Sequence, residues 1–244
     1  MSMSSPERSR GPVLGQPTEQ QQRIARVTGV LWIVTFLTSI PAYLLYDPVL
    51  DDTGFITGSG SVNAVLFGVF LELLLIIANI GTAVVPYSIY KRQSEPLALG
   101  FVAARIMESV FIAVGILCML ALVTLRQDLA GTNTDSATLE TVGASLVAVK
   151  EWTFRLGPGF VVGVGNGLIM GYLAYRSGLV PRRLAMLGLI AGPLLCATGI
   201  AIVLGWIEAG GTLQGIATIP EFVWELSLGI YLTVKGFKPS HIFA

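Results

Sequence analysis

The stretch LALGFVAARIMESVFIAVGILCMLALVTL, residues 97–125, is apolar almost throughout and carries only two charges, Arg105 and Glu108. Its 29 residues exceed the ~20 that cross a hydrocarbon layer at 1.5 Å per residue, so it reads as a tilted membrane-spanning helix. A spacing of three puts both charges on one helical face, where they can meet each other and whatever packs against them. The link at 93–96 is short, so the preceding apolar run, 62–90, is expected to lie antiparallel beside this helix. Pro96 fits a first helical turn, which needs no donor.

Composition extends the membrane reading to the whole chain. Of 244 residues 53% are apolar and 12% charged, against roughly a quarter charged in a soluble domain, and the mean hydropathy is +0.74. Fifteen basic residues balance fifteen acidic ones, so no basic field exists to attract nucleic acid. The pattern predicts an all-α bundle of six transmembrane helices at 24–46, 62–90, 97–125, 159–175, 184–206 and 219–235. Residues 1–22 read as a disordered cytoplasmic tail, 23–238 as the membrane domain and 239–244 as a short cytoplasmic end.

Between the first two spans, 47–61 is an acidic, glycine-bearing loop without Lys or Arg. Residues 137–156 place Leu139, Val142, Leu146 and Val149 on one side with Glu140 away from them, which predicts an outer interfacial helix ended by Gly157-Pro158-Gly159. One continuous long helix is the alternative. Eleven of the fifteen basic residues fall at 8–26, 91–92, 176–183 and 235–238, leaving Arg126 outside and Arg105, Lys150 and Arg155 embedded or interfacial. By the positive-inside rule both termini are expected in the cytoplasm of a cell-membrane protein.

Several chemistries are excluded by their missing groups. His241, the single histidine, lies three residues from the C-terminus, which removes bis-histidine haem, histidine-ligated zinc and Ser-His proteolysis from the bilayer. No aspartate falls within a span. Cys118 and Cys196 stand alone in apolar sequence as small hydrophobes. Neither a phosphate-binding loop nor a dinucleotide fingerprint is present, and no metal or cofactor is expected.

What remains is a group of polar residues at intramembrane depth. Counted from span midpoints, Glu72 lies roughly 4 Å outside the centre, Asn166 near it and Glu225 roughly 3 Å outside, with Glu108, Asn79 and Arg105 roughly 4 to 9 Å to the inner side. An ionised group at mid-bilayer costs at least ~2.5 to 3.5 kcal/mol, so these side chains should face the bundle and pair. Arg105 with Glu108 is the obvious pair, and Asn79 sits at the height to join it. That set is either a structural clamp or a binding or proton-relay site made of Glu72, Asn79, Arg105, Glu108, Asn166 and Glu225. Three acids face one deep arginine, so one of them, Glu72 first, is expected to hold a proton near neutrality.

Thr218-Ile219-Pro220-Glu221 has the form of a capping box and assigns Glu221 to helix initiation, with room left for another role. Glu151 and Arg155, four apart, read as a solvated pair. Gly159, Gly163, Gly167 and Gly171 form a strip without side chains that suits close helix packing, or space for a ligand beside Asn166.

The chain resembles a family of six-helix bacterial membrane proteins catalogued only as a domain of unknown function. The likeness runs from about Arg23 to Lys238. It rests on Ala78-Asn79-Ile80-Gly81-Thr82-Ala83, on Glu95-Pro96-Leu97-Ala98-Leu99-Gly100 leading to Arg105 and Glu108, on Gly171-Tyr172 with Tyr175 through Arg182, and on Trp224 through Gly229 with Lys235-Gly236-Phe237. Arg183 stands where the family usually carries an aromatic residue. The resemblance implies fold and location and supplies no reaction, substrate or cofactor.

Three functions stay open. A small carrier, proton-coupled in one form, would use Arg105 to neutralise an anionic solute and Glu72 or Glu108 to handle the proton. A non-catalytic accessory protein would satisfy its polar groups internally and bind a partner helix on its glycine faces. A lipid-modifying enzyme would use paired carboxylates as acid and base, without a nucleophile or metal ligands to assist them.

Overall fold

The first helix starts further out than its hydropathy limit, at a capping pair. The computed structural model describes residues 14–50, 53–128 and 135–244, and among them the secondary structure is helical, with one isolated bridge between Gly15 and Ser240. Helix α1, Glu19–Leu50, opens on Thr18 and Gln21, whose side chains each accept from the other's backbone N–H. Pro41 and Pro48 lie inside it without ending it. Of the expected tail, residues 1–13 lie outside the described residues; Gly15 onward is held against the C-terminal end.

Helix α2, Val62–Val84, is capped by Ser61 and continues past Pro86 in one further turn, Tyr87–Tyr90. After α3, Glu95–Asp128, comes α4, Ser136–Leu156, which does not end at Gly157-Pro158-Gly159. The expected helix end is replaced by π-helical winding over Gly157–Val161 and Gly163–Met170, which leads into α5, Gly171–Ser177. Pro158 has no N–H to give, and the N–H of Val162 reaches back five residues to the Gly157 carbonyl, so the wider winding absorbs the defect. Gly178, with φ +67°, ends α5 in a left-handed cap. Helices α6, Arg182–Val203, and α7, Thr212–Lys235, complete the chain.

Among the described residues five helical stretches are long and apolar enough to cross a membrane: Glu19–Leu50, Val62–Tyr90, Glu95–Asp128, Ala137–Ser177 and Arg182–Val203. The 24 residues of α7 are also long enough, at about 36 Å, but Glu221 and Glu225 dilute their apolar character. Ala137–Ser177, with 41 residues, would extend about 60 Å, twice a hydrocarbon layer. Its first half therefore overshoots. The four apolar residues of that half do not share one environment: Leu139 and Leu146 pack inward while Val142 and Val149 stay exposed, and Lys150 and Thr153 lie against Gly115 of α3. Leu37, Ile77 and Leu117 point outward, each about two-thirds exposed, a distribution suited to lipid contact. The chain is a multi-pass helical membrane protein.

The rods form a ring. Helix α1 packs on α2, α2 on α3, α3 on α4 and the π segment, the π segment on α6, α6 on α7, and α7 returns to α1. Two apolar cores fill the ends, one around Trp32, Phe101, Leu173 and Trp224 near the termini and one around Tyr46, Val65, Ile116 and Leu122 at the opposite end. At the first of these ends Gln22 exchanges two hydrogen bonds with the Phe237 backbone, Ser240 bonds the Ser177 carbonyl and Lys238 N–H donates to Leu179. The last residues, 239–244, are thus packed against the bundle. At the far end Arg126 donates to the carbonyls of Gly58, Ser59 and Gly60 and lies 4.7 Å over the Phe55 ring. These contacts organise the acidic loop. Arg126→Gln is expected to cost about 1 kcal/mol, because the anchor is partly solvated, and to speed proteolysis within 54–61; an unchanged cleavage rate would show that the loop holds itself.

Candidate functional site

Polar side chains from α1, α2, α3, α4, the π segment and α7 turn into the ring. Arg105 on α3 donates through Nη1 to Glu108 Oε2 at 2.6 Å, through Nη2 to Asn79 Oδ1 at 2.6 Å, and through Nε to Thr82 Oγ1 at 3.0 Å. Asn79 Nδ2 closes the circuit on Glu108 Oε1 at 3.0 Å. The three-residue steps from Asn79 to Thr82 and from Arg105 to Glu108 are what bring two neighbours per helix to one height. The Trp32 ring of α1 covers the guanidinium at 4.8 Å. Arg105 is 2% exposed and each charged face of it has a partner. It is a closed knot.

Glu72 does not join that knot. Lys150 of α4 donates to Glu72 Oε1 at 2.6 Å and Tyr46 OH donates to Oε2 at 3.1 Å, with the ammonium 4.8 Å over the Tyr46 ring. The acid expected to be in surplus thus has its own cation, 78 positions away in sequence. The surplus is elsewhere. Glu221 lies nine residues inside α7, where Thr218 merely bonds the Gln214 carbonyl, so it initiates no helix. It is 2% exposed, and neither carboxyl oxygen has a partner among the described residues.

One turn on, Glu225 accepts from Asn166 Nδ2, and Trp224 Nε1 donates to the Asn166 carbonyl at 3.1 Å. The Asn166 Oδ1 is left without a donor. Helix α7 therefore addresses the π segment with three residues of one turn. The glycine strip sits behind this contact: Gly163 and Gly167 face Gly192, and Gly171 faces Gly188, while Gly159 meets only Phe154 and Gln214 at ordinary distances. The Glu151–Arg155 pair, at 2.8 Å, stays part-exposed at the rim.

A cavity of about 700 Å³ joins these groups. Asp47 and Gly210, both exposed, mark its mouth at the end opposite the termini, and Asn79, Arg105, Glu108 and Glu225 lie at its floor. Glu72, Lys150 and Glu221 stand along its wall. Of the six residues singled out from sequence, five line this space and Asn166 is bonded to one that does. Sequence reasoning passed over Lys150, Tyr46, Thr82 and Glu221 as members. The four-residue step from Glu221 to Glu225 was the available signal for the last of these, and none pointed to the pairing of Lys150 with Glu72.

Residues 27–236 match the family model described as a domain of unknown function, DUF4386. Neither a curated protein nor a solved structure matches the chain.

Proposed function

We propose that this chain, which belongs to the DUF4386 family, is a small carrier of the cell membrane with six crossings, both termini cytoplasmic and a solute cavity open to the outer face. The cavity carries the reading. A purely structural bundle gains nothing from about 700 Å³ of space ending on buried acids, whereas a carrier needs a mid-membrane chamber with polar groups on its wall. The sixth crossing is α7, whose two acids face inward and leave Ile216, Ile219 and Ile230 for lipid.

The chemistry of the cavity also bears on the solute. Arg105 is spent on Glu108, Asn79 and Thr82, so an anion could reach it only by displacing Glu108. Three buried acids, Glu72, Glu108 and Glu221, and the half-buried Glu225 stand in the cavity against two buried cations, Lys150 and Arg105. The excess favours the handling of protons or other cations over anion capture, at Glu221 and Glu225 rather than at Glu72. An accessory role is less well served, because the glycine strip is already filled by α6 of the same chain.

Proteoliposomes that report internal pH test the reading. A saturable pH change is expected on adding a transported solute from pools of amines, amino acids and carboxylates. It should fall about 100-fold in Glu225→Gln if that carboxyl moves the proton. Wild-type vesicles that match empty vesicles across all pools would overturn it.

A further inference from the structure

We infer that the cavity binds an organic ammonium ion, with the cationic head on Glu221 and Glu225 and an apolar body against the aromatic wall. This deepens the carrier reading and rests on it for its biological sense, but not for its test. Glu221 is the ground of the inference: a carboxylate buried to 2% exposure, opening on the cavity, with both oxygens unpartnered. Left charged and without a partner, such a group costs several kcal/mol, and no side chain among the described residues donates to it. Lys150 is held by Glu72 and Arg105 by Glu108.

The other unmet group beside it also accepts. The Asn166 Oδ1 lacks a donor, and Glu225 receives one bond, from Asn166 Nδ2. An acceptor-rich corner whose donors, Asn166 Nδ2 and Trp224 Nε1, are already engaged calls for a ligand that brings donors and positive charge together. Protonated amines do both.

A bare divalent ion fits less well. Among the described residues no three His, Cys, Asp or Glu side chains converge, and a calcium-like ion takes six to eight oxygens. The walls point to a ligand with hydrocarbon attached. Phe36 and Phe222 meet edge to face at 5.1 Å, Tyr43 and Phe154 lie 5.7 Å apart, and all four line the cavity above the carboxylates. Aromatic faces attract cations and shelter apolar surface.

Three probes of one shape separate charge from fit: benzylammonium, benzyl alcohol and phenylacetate, titrated calorimetrically into the full-length protein in detergent. Saturable binding of benzylammonium alone is expected. Glu221→Gln should weaken it about 10- to 100-fold, the loss of one charged hydrogen-bonding partner, and Glu225→Gln should weaken it as well. Both amides keep the shape of the acid and relieve a buried charge, and an unfolding temperature at or above that of wild type verifies that each variant is folded.

Binding of phenylacetate in preference, equal binding of all three, no binding of benzylammonium, or affinity unmoved in both folded variants would each overturn the inference. The carrier reading fails separately. Ammonium binding without flux keeps this site and removes the carrier, while solute-driven flux without ammonium binding does the reverse.

Discussion

Arg105→Met is expected to destabilise the protein by about 3–5 kcal/mol, enough to abolish accumulation of a marginally stable bundle. The cation is 2% exposed and holds Glu108, Asn79 and Thr82 at once, so its removal strands a buried carboxylate and a buried amide together. The companion variant is more informative than the loss itself. Arg105→Met with Glu108→Leu removes the stranded charge, and more than half the lost stability should return, since the damage comes from an unpaired ion rather than from a missing attraction. Arg105→Lys should recover less, because a point charge cannot serve Glu108, Asn79 and Thr82 in three directions. Reversible unfolding in detergent measures all three. If Arg105→Met unfolds with wild-type stability, the knot is incidental and the guanidinium is free for another task.

The parts of this site that could be read from sequence are those with a local rule. Arg105 and Glu108 are three apart on one apolar helix, and their heights match Asn79 across a link too short to allow anything but antiparallel neighbours; the structure brings these three within hydrogen-bonding reach. Lys150 had no such rule. Its partner Glu72 is 78 positions distant, and the two meet only because α4 lies along α3, a packing that the exposed-looking pattern of 137–156 argued against.

A local motif misled where its helix began elsewhere. Thr218-x-x-Glu221 and Thr18-x-x-Gln21 are both capping-box sequences, and the second of them builds the reciprocal pair. Helix α7 instead starts at Gly211, which has an extended backbone, and that puts Glu221 two turns deep. A capping box needs its helix to begin there, and nothing in four residues says so. Gly157-Pro158-Gly159 failed for a related reason: the breaker rule assumes that a lost bond to the fourth residue back ends the helix, and a bond to the fifth avoids the break.

That winding makes the second large effect a packing one. Gly167→Ala is expected to cost about 3 kcal/mol or more, although alanine normally favours a helix by about 1 kcal/mol over glycine. The added methyl would fall on the Gly192 backbone, which cannot rotate aside as a side chain could, and would stand 3.0 Å from Glu221 Oε2. Gly159→Ala is the control, since its methyl meets nothing closer than 3.6 Å, and it should be neutral or slightly stabilising. The two variants each add one methyl and differ only in its place on the strip, so effects of opposite sign isolate the contact with α6. Equal unfolding curves would show that the π segment and α6 can part without loss. The consequence reaches the cavity, because Asn166 precedes Gly167 directly. A shift of that segment away from α6 turns the Asn166 amide off Glu225 and its carbonyl off Trp224. Ligand affinity at the paired acids should then fall in Gly167→Ala even in the fraction that stays folded.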